Sequence, residues 1–305
     1  MATVQLKKVR TSTLEIAYYD HGPAGGWPVV LSHGFPYDVH AYDDVVPLLV
    51  SRSARVIVPY LRGFGPTRFL HPASRVSGMR TGQQTALASD IIALLDALGI
   101  EKAVLAGFDW GGLASCVASL LWPERVAGLV SYAGYDVADV ASQRDEPCPP
   151  ELEYTMWYQH LFQSERGRKC LAQNRRTLCR MLWSQWSPSW AFSEETFERT
   201  AETFDNEAWV DVVVHCYRFH MGRVDGHPDL EELEKKVAMK PKVTVPCITL
   251  DGTLDPLKPG GSAAHAQMFV ARHERREVEV GHAFPMEAPE AFAQAVIDVH
   301  GWARE

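Results

Sequence analysis

Short apolar runs alternate with helix-patterned stretches in two separated parts of this chain. That rhythm, more than any single residue, limits how the chain can fold. Parallel strands need long crossover connections, so such alternation builds a mostly parallel sheet with helices on its faces, an α/β architecture. Runs at 29–31, 55–59, 103–106 and 127–132 read as buried strands. Residues 4–9 and 14–19 alternate about a polar turn at 10–13 and predict an antiparallel hairpin at a sheet edge. Thr81 and Gln84 can form a capping box, followed by Leu87, Ile91, Leu94, Leu95 and Leu98 on one helical face, with Gly99 as the stop. Then the rhythm breaks. Residues 137–242 hold no convincing strand; after a loop marked by Pro147, Pro149 and Pro150 they predict helices at 151–162, 164–182, 193–204 and 206–221. Strands at 245–250 and 275–280 and an amphipathic helix at 289–302 restore the pattern. The expected organisation is a core of residues 1–136 and 243–305, interrupted by a helical insertion, 137–242.

Composition removes several function classes. The net charge is −8, which disfavours binding to nucleic acid or an anionic membrane, since both need a basic surface. No run of about 18 apolar residues offers a membrane span, and residues 1–10 lack the apolar stretch of a signal peptide. The six cysteines are scattered without a C-x-x-C pair and are expected to be reduced thiols of a cytoplasmic protein. Neither H-E-x-x-H nor any other metal-ligand spacing occurs, so no metal or other cofactor is expected.

One segment carries chemistry in a compact form. The run Ala103, Val104, Leu105 and Ala106 meets Gly107-Phe108-Asp109-Trp110-Gly111-Gly112, and a helix pattern follows to residue 122. A strand, a sharp glycine-flanked turn and a helix form the elbow that lifts a nucleophile above a sheet edge, here with Asp109 at its apex. The helix N-terminus behind it favours an anion. The plainer alternative is an aspartate that caps the helix. No G-x-S-x-G occurs elsewhere to compete for the role.

An aspartyl nucleophile forms an ester that a second group must cleave, usually a histidine activating water with a carboxylate holding its tautomer. His282 follows the strand at 275–280, and Asp255 follows the strand at 245–250. Loops at the C-terminal ends of parallel strands converge, so the order Asp109, Asp255, His282 suits a triad. Asp251 competes with Asp255 for the acid, although it sits close to the strand end. His282 could also be an ordinary surface-loop histidine. After the strand at 29–31, His33-Gly34-Phe35-Pro36 is either a simple turn or a loop giving one N–H of an oxyanion hole. In the second case Phe35 and Trp110 supply the two donors.

With these residues in view, the chain resembles the epoxide hydrolases of the α/β-hydrolase superfamily and the neighbouring haloalkane dehalogenases, over nearly its whole length. His33-Gly34-Phe35-Pro36 is similar to their H-G-x-P loop, Leu61-Arg62-Gly63-Phe64-Gly65 to L-R-G-[YF]-G, and Asp109-Trp110-Gly111 to the D-W-G elbow. Residues 281–289 resemble G-H-x-x-P-x-E-x-P. The resemblance implies an α/β-hydrolase fold with a helical cap. It also implies two cap tyrosines that hold the epoxide oxygen: Tyr158, in a Y-Q-x-x-F-Q-like segment, and Tyr217, in a W-Y-R-like segment with Cys216 in place of Trp. A phenol with a pKa near 10 can hydrogen-bond or protonate a departing alkoxide. Both tyrosines could instead be cap core. The chain departs from the pattern at Pro59-Tyr60 and at Thr253-Leu254.

The expected reaction is hydrolysis of an epoxide to a vicinal diol through an ester on Asp109. Tyr158 and Tyr217 would stabilise the oxygen, and His282, oriented by Asp255, would activate water. The expected partners are a small apolar epoxide and water, with Trp157, Phe35 and Trp110 lining the binding cleft, and a homodimer as the candidate assembly. The alternatives are hydrolytic dehalogenation of haloalkanes or haloacids with the same triad, and a non-catalytic ligand-binding protein. Against the halide readings, Phe35 brings no side-chain donor, and Trp110 stands where fluoroacetate dehalogenases carry Arg.

Overall fold

A computed structural model describes residues 5–73 and 75–304. Its nine strands form one sheet. They are β1 (Lys7–Arg10), β2 (Leu14–His21), β3 (Trp27–Ser32), β4 (Ala54–Pro59), β5 (Arg68–Phe69), β6 (Ala103–Gly107), β7 (Val126–Tyr132), β8 (Cys247–Gly252) and β9 (His273–Val278). The order across the sheet is β1-β2-β4-β3-β6-β7-β8-β9, with the short β5 paired to β2. Pairs from β4 through β9 are parallel, whereas β1, β2 and β5 pair antiparallel. The central strands read as continuous apolar runs because helices cover both faces; β6 is buried at every residue. The two edges are charged instead, Lys-Lys-Val-Arg in β1 and His-Glu-Arg-Arg-Glu-Val in β9, which disfavours further strand addition.

Topology decides where a site can form. The chain leaves β3 for β4 on one side and later returns to place β6 on the other side of β3. Loops after β3 and β6 therefore diverge in sequence but open onto one crevice, the usual ligand position in open α/β sheets. The loops after β8 and β9 emerge at the same edge.

Between β7 and β8 the described residues hold helices and connecting loops. Two of the expected long helices are each broken in two. The stretch 151–162 divides into Pro150–Thr155 and Trp157–Phe162, with Met156 outside helical geometry (φ −92°, ψ 17°). The stretch 164–182 divides at Asn174, whose side-chain amide donates to the carbonyl of Cys170. That local bond competes with the helix ladder, as asparagine commonly does. Helices at Val45–Val50, Val140–Asp145 and Glu231–Ala238 add to those expected from the pattern. The predicted capping box does not form. The helix begins at Gln84, and the Thr81 hydroxyl instead accepts from the Gln83 N–H (3.2 Å). A carboxylate distant in sequence, Glu234, takes over as the cap, accepting from the Thr85 N–H (3.2 Å) and the Thr85 hydroxyl (2.5 Å). Val4, the first residue of the expected hairpin, lies outside the described residues. Among the described residues no helix is long and apolar enough to cross a membrane.

Candidate active site

Asp109 stands at the apex between β6 and the helix Trp110–Leu121, with φ 51° and ψ −128°. A non-glycine residue in such a conformation costs on the order of 1–3 kcal/mol and persists only where its surroundings dictate it. The turn is that tight because the helix crosses the end of β3: a Cβ on Gly111 would fall 1.8 Å from the Ser32 carbonyl oxygen. Although Asp109 occupies the N-cap position, its side chain makes no capping bond. Its Oδ1 accepts instead from the Phe35 N–H at 2.6 Å. Gly34 makes room for this approach, since a Cβ there would lie 2.4 Å from the Asp109 Cβ. Trp110, first residue of the helix, has an N–H without an intrahelical partner by geometry.

The 33–36 loop is held by a neutral histidine. His33 is fully buried and accepts the Leu61 N–H at Nε2 (3.1 Å), which leaves the proton on Nδ1 to bond the Gly34 carbonyl (3.0 Å). Burial pushes its pKa down to about 4. Arg62, in the neighbouring loop, is buried against Asp90 (2.6 Å).

His282 Nε2 lies 3.4 Å from Asp109 Oδ2, and its Nδ1 lies 2.8 Å from Asp255 Oδ2. All three residues thus form one chain of contacts above the sheet. Burial alone would lower the histidine's pKa, but the two carboxylates outweigh it and raise it to about 10. Burial opposes ionisation of Asp255 as well. His282, with bonds from the Tyr132 hydroxyl (2.7 Å) and the Leu257 N–H (2.8 Å), nevertheless holds it below the ordinary carboxylate range. Asp251 is elsewhere engaged: its carboxylate takes the Ser262 N–H (2.9 Å), the Ser262 hydroxyl (2.8 Å) and Arg275 Nε (2.6 Å).

Above Asp109 and His282 opens a cavity of about 480 Å³. Tyr158 and Tyr217 line it, on the helices Trp157–Phe162 and Trp209–His220, with ring centroids 5.2 Å apart at 89°. Burial, reinforced by Asp109, raises both phenols above their ordinary pKa, so both keep their protons and can donate. The Gln159 amide donates to the Tyr158 oxygen (3.2 Å).

Three aromatic residues expected in the cleft divide. Trp110 lines the cavity. The Phe35 ring is fully buried behind it, stacked on Trp110 at 5.6 Å and edge-on to Tyr217 at 5.6 Å. The Trp157 indole turns toward Gln185 (Nε1 to Oε1, 3.0 Å), and the cavity wall passes it by. The correction has a local cause: the bond to Gln185 draws the indole toward the helix Arg175–Trp186 and away from the cavity wall.

Sequence reading had missed Tyr132, Gln159 and His220. Tyr132 ends β7 beside the Asp255 loop, a position from which strand order could have suggested it. Ser187 was missed too. Its hydroxyl accepts from the Ala283 N–H (3.0 Å) and donates to Glu287 (2.7 Å), while the Trp186 carbonyl accepts the His282 N–H (3.1 Å). The end of the helix Arg175–Trp186 therefore braces the histidine loop.

Comparison with known proteins agrees with this fold. The α/β-hydrolase fold family matches residues 28–204. A crystal structure from Klebsiella pneumoniae subsp. pneumoniae, provisionally assigned as an epoxide hydrolase, is 40% identical over 97% of both chains, with a TM-score of 0.94. Epoxide hydrolase A of Mycobacterium tuberculosis is 31% identical over 123 residues, 40% of this chain and 36% of that one. A haloalkane dehalogenase of Psychrobacter cryohalolentis is 35% identical over 116 residues, 38% of this chain and 36% of that one. The chain thus aligns with about a third of the length of these curated relatives, 36% in each case. By the family match and the near full-length likeness, it belongs to the α/β-hydrolase fold family.

Proposed function

We propose that this chain hydrolyses an epoxide to a vicinal diol, with residues 137–242 acting as a cap over the core. The observation that carries the reading is the pair of protonated phenols, Tyr158 and Tyr217, lining one cavity with the Asp109 carboxylate and His282. Asp109 Oδ2 attacks an epoxide carbon as the ring C–O bond breaks. The phenols donate to the departing oxygen, which ends as a hydroxyl. Its proton comes, through a phenol, from His282, which starts as an imidazolium between two carboxylates. Esterification removes the charge of Asp109, so one of the two influences that raise the histidine's pKa disappears. Neutral His282 then becomes a competent base at the moment the reaction needs one.

In the second half, His282 takes a proton from water, and the hydroxide adds to the ester carbonyl. The Phe35 and Trp110 N–H groups receive the oxyanion. Collapse expels the diol oxygen, which takes the acid proton, restoring the Asp109 carboxylate and the imidazolium. Asp255, locked by Tyr132 and Leu257, holds the ring in place throughout.

Dehalogenation of a haloalkane is the second reading. It is favoured by the Trp110 indole in the cavity wall next to Asp109 and by the resemblance to a haloalkane dehalogenase. A haloacid fits less well, because Lys258, the lysine of the wall, is paired to Asp136 at 3.2 Å. Mass separates the readings. His282→Ala should still form the ester, more slowly because the phenol must recover its proton from water, but fail to cleave it, so the adduct accumulates on Asp109. An epoxide expels nothing and adds its whole mass; a haloalkane loses halide and adds only its alkyl group. Intact-protein mass spectrometry followed by digestion reads both. Adducts from haloalkanes alone would reverse the ranking, and an adduct on another residue would overturn the mechanism.

A further inference from the structure

Three consecutive backbone amides hold the histidine loop, each on a different acceptor. The Gly281 N–H donates to Glu287 Oε2 (3.0 Å), the His282 N–H to the Trp186 carbonyl (3.1 Å) and the Ala283 N–H to the Ser187 hydroxyl (3.0 Å). The Ser187 hydroxyl donates in turn to Glu287 Oε1 (2.7 Å), which closes the set into a clamp around the loop. Two of the three acceptors come from the end of the helix Arg175–Trp186, a segment distant in sequence from His282. Trp186, Ser187, His282 and Ala283 are all buried. The two backbones lie in close contact: a Cβ on Gly281 would fall 2.7 Å from the Ser187 Cα.

The helix is itself anchored. One turn before Ser187, the Trp183 indole donates to the Pro36 carbonyl (3.0 Å) and stacks on Tyr37 at 4.8 Å. The Trp186 ring lies 5.2 Å from the His282 imidazole and 5.2 Å from the Tyr158 ring. Ordinary helix termination accounts for the Trp186 carbonyl, which needs a donor. It does not account for Ser187 and Glu287, which bring a hydroxyl and a carboxylate to the amides on either side of His282.

We propose that Ser187 and Glu287 are positioning residues that keep His282 aligned for its work as a base, an alignment that depends on the docked end of the helix Arg175–Trp186. The inference rests on the ester mechanism proposed above and holds for either leaving group. Ester formation depends mainly on Asp109, which the Phe35 N–H fixes separately at 2.6 Å. Ester hydrolysis is more exacting, because the imidazole must take a proton from a water aligned on the ester carbonyl. A misplacement of about 1 Å can cost on the order of 100-fold in such a step. Loosening the clamp therefore slows hydrolysis far more than alkylation, and the ester accumulates. When hydrolysis limits turnover, kcat and KM fall together and their ratio holds. A smaller folded fraction lowers kcat and leaves KM unchanged.

The test follows both half-reactions by single-turnover mass spectrometry, with 1,2-epoxyhexane and 1-bromohexane as probes. In Ser187→Ala we expect hydrolysis to fall about 10- to 100-fold and alkylation by no more than about threefold, with kcat and KM reduced together. Glu287→Gln keeps one acceptor oxygen and should show the same split at smaller size. It reads the clamp from its other side should Ser187→Ala fail to fold. Equal slowing of the two half-reactions, or unchanged hydrolysis in the variants that fold, would overturn the inference. An ester on Asp109 of His282→Ala, with no such split in the clamp variants, would overturn this inference alone and leave the mechanism standing. Failure of both probes to add mass to Asp109 of His282→Ala would sink the ester mechanism and this inference with it.

Discussion

Two regions face each other across the cavity, and they hold their functional groups by different means. On the sheet side, Asp109, Asp255 and His282 stand on short loops at strand ends. Each side chain is fixed by hydrogen bonds from backbone or buried polar groups: Phe35 N–H on Asp109, and Leu257 N–H and Tyr132 on Asp255. On the helical side, Tyr158 and Tyr217 are positioned by packing against Phe35, Phe162 and each other, with one amide contact from Gln159. A hydrogen-bonded loop tolerates little displacement, because each lost bond leaves a buried group unpaired. A packed aromatic pair can share a task, since either ring can shift slightly and still reach the same oxygen. On the proposed mechanism the sheet side thus holds single indispensable roles, and the helical side a partly redundant one.

That contrast breaks most visibly on the helical side. Tyr158→Phe or Tyr217→Phe alone should slow alkylation by about 10- to 100-fold, since the remaining phenol still donates to the oxygen. The double substitution should lose on the order of 10⁴-fold, far more than either single change. Single-turnover alkylation rates measure this step apart from ester hydrolysis. A double variant that reacts like wild type would mean that another group receives the oxygen, and the redundancy argument would go with it.

The next test lies within the sheet side, between two buried carboxylates four residues apart. Asp255 bonds His282; Asp251 bonds Ser262 and Arg275. Asp255→Asn should cut ester hydrolysis on the order of 10³-fold while leaving ester formation less affected, because the imidazole loses its oriented tautomer. Asp251→Asn should instead cost about 2 kcal/mol of stability, with turnover nearly intact. Thermal unfolding and pre-steady-state kinetics on both variants distinguish the outcomes. Exchanged phenotypes would mean that the resting geometry misassigns the acid.

The same contrast explains what sequence alone could and could not reveal. Strands β3, β4, β6, β7 and β8 were legible because buried parallel strands are short apolar runs, and the elbow was legible because its glycines and its aspartate lie within six residues. Choosing between Asp251 and Asp255 needed the position of His282, which no local pattern contains. The breaks at Met156 and Asn174 were not legible either. The Met156 turn carries neither Gly nor Pro, and it accompanies burial of Tyr158 and Phe162 against the 33–36 loop, a contact between distant segments. The failed capping box at Thr81 has a similar origin: the groups that satisfy the helix start come from Glu234, 149 residues away.

Glu234 also gives the smallest effect and the most direct probe of how the two regions are tied. It sits on the helix Glu231–Ala238, between β7 and β8, and reaches the start of the core helix Gln84–Ala97. There its carboxylate accepts from Gln83 Nε2 (3.0 Å), Gln84 Nε2 (3.1 Å), and the N–H and hydroxyl of Thr85 (3.2 and 2.5 Å). A carboxylate at that position satisfies orphan N–H groups and complements the helix dipole, each worth about 0.3–1 kcal/mol. Glu234→Gln keeps the shape but removes the charge and turns an amide N–H₂ toward donors. We expect a loss of about 1 kcal/mol, or roughly 1–3 °C in Tm for a chain of this length. Glu231→Gln is the control on the same helix. Its partner is Lys235 in an exposed pair, 66% and 59% open to solvent, so its removal should leave Tm nearly unchanged. If the bond joins the two regions into one cooperative unit, Glu234→Gln lowers a single transition while its width stays the same. A new low-temperature transition in that variant would instead show the helices between β7 and β8 unfolding ahead of the sheet.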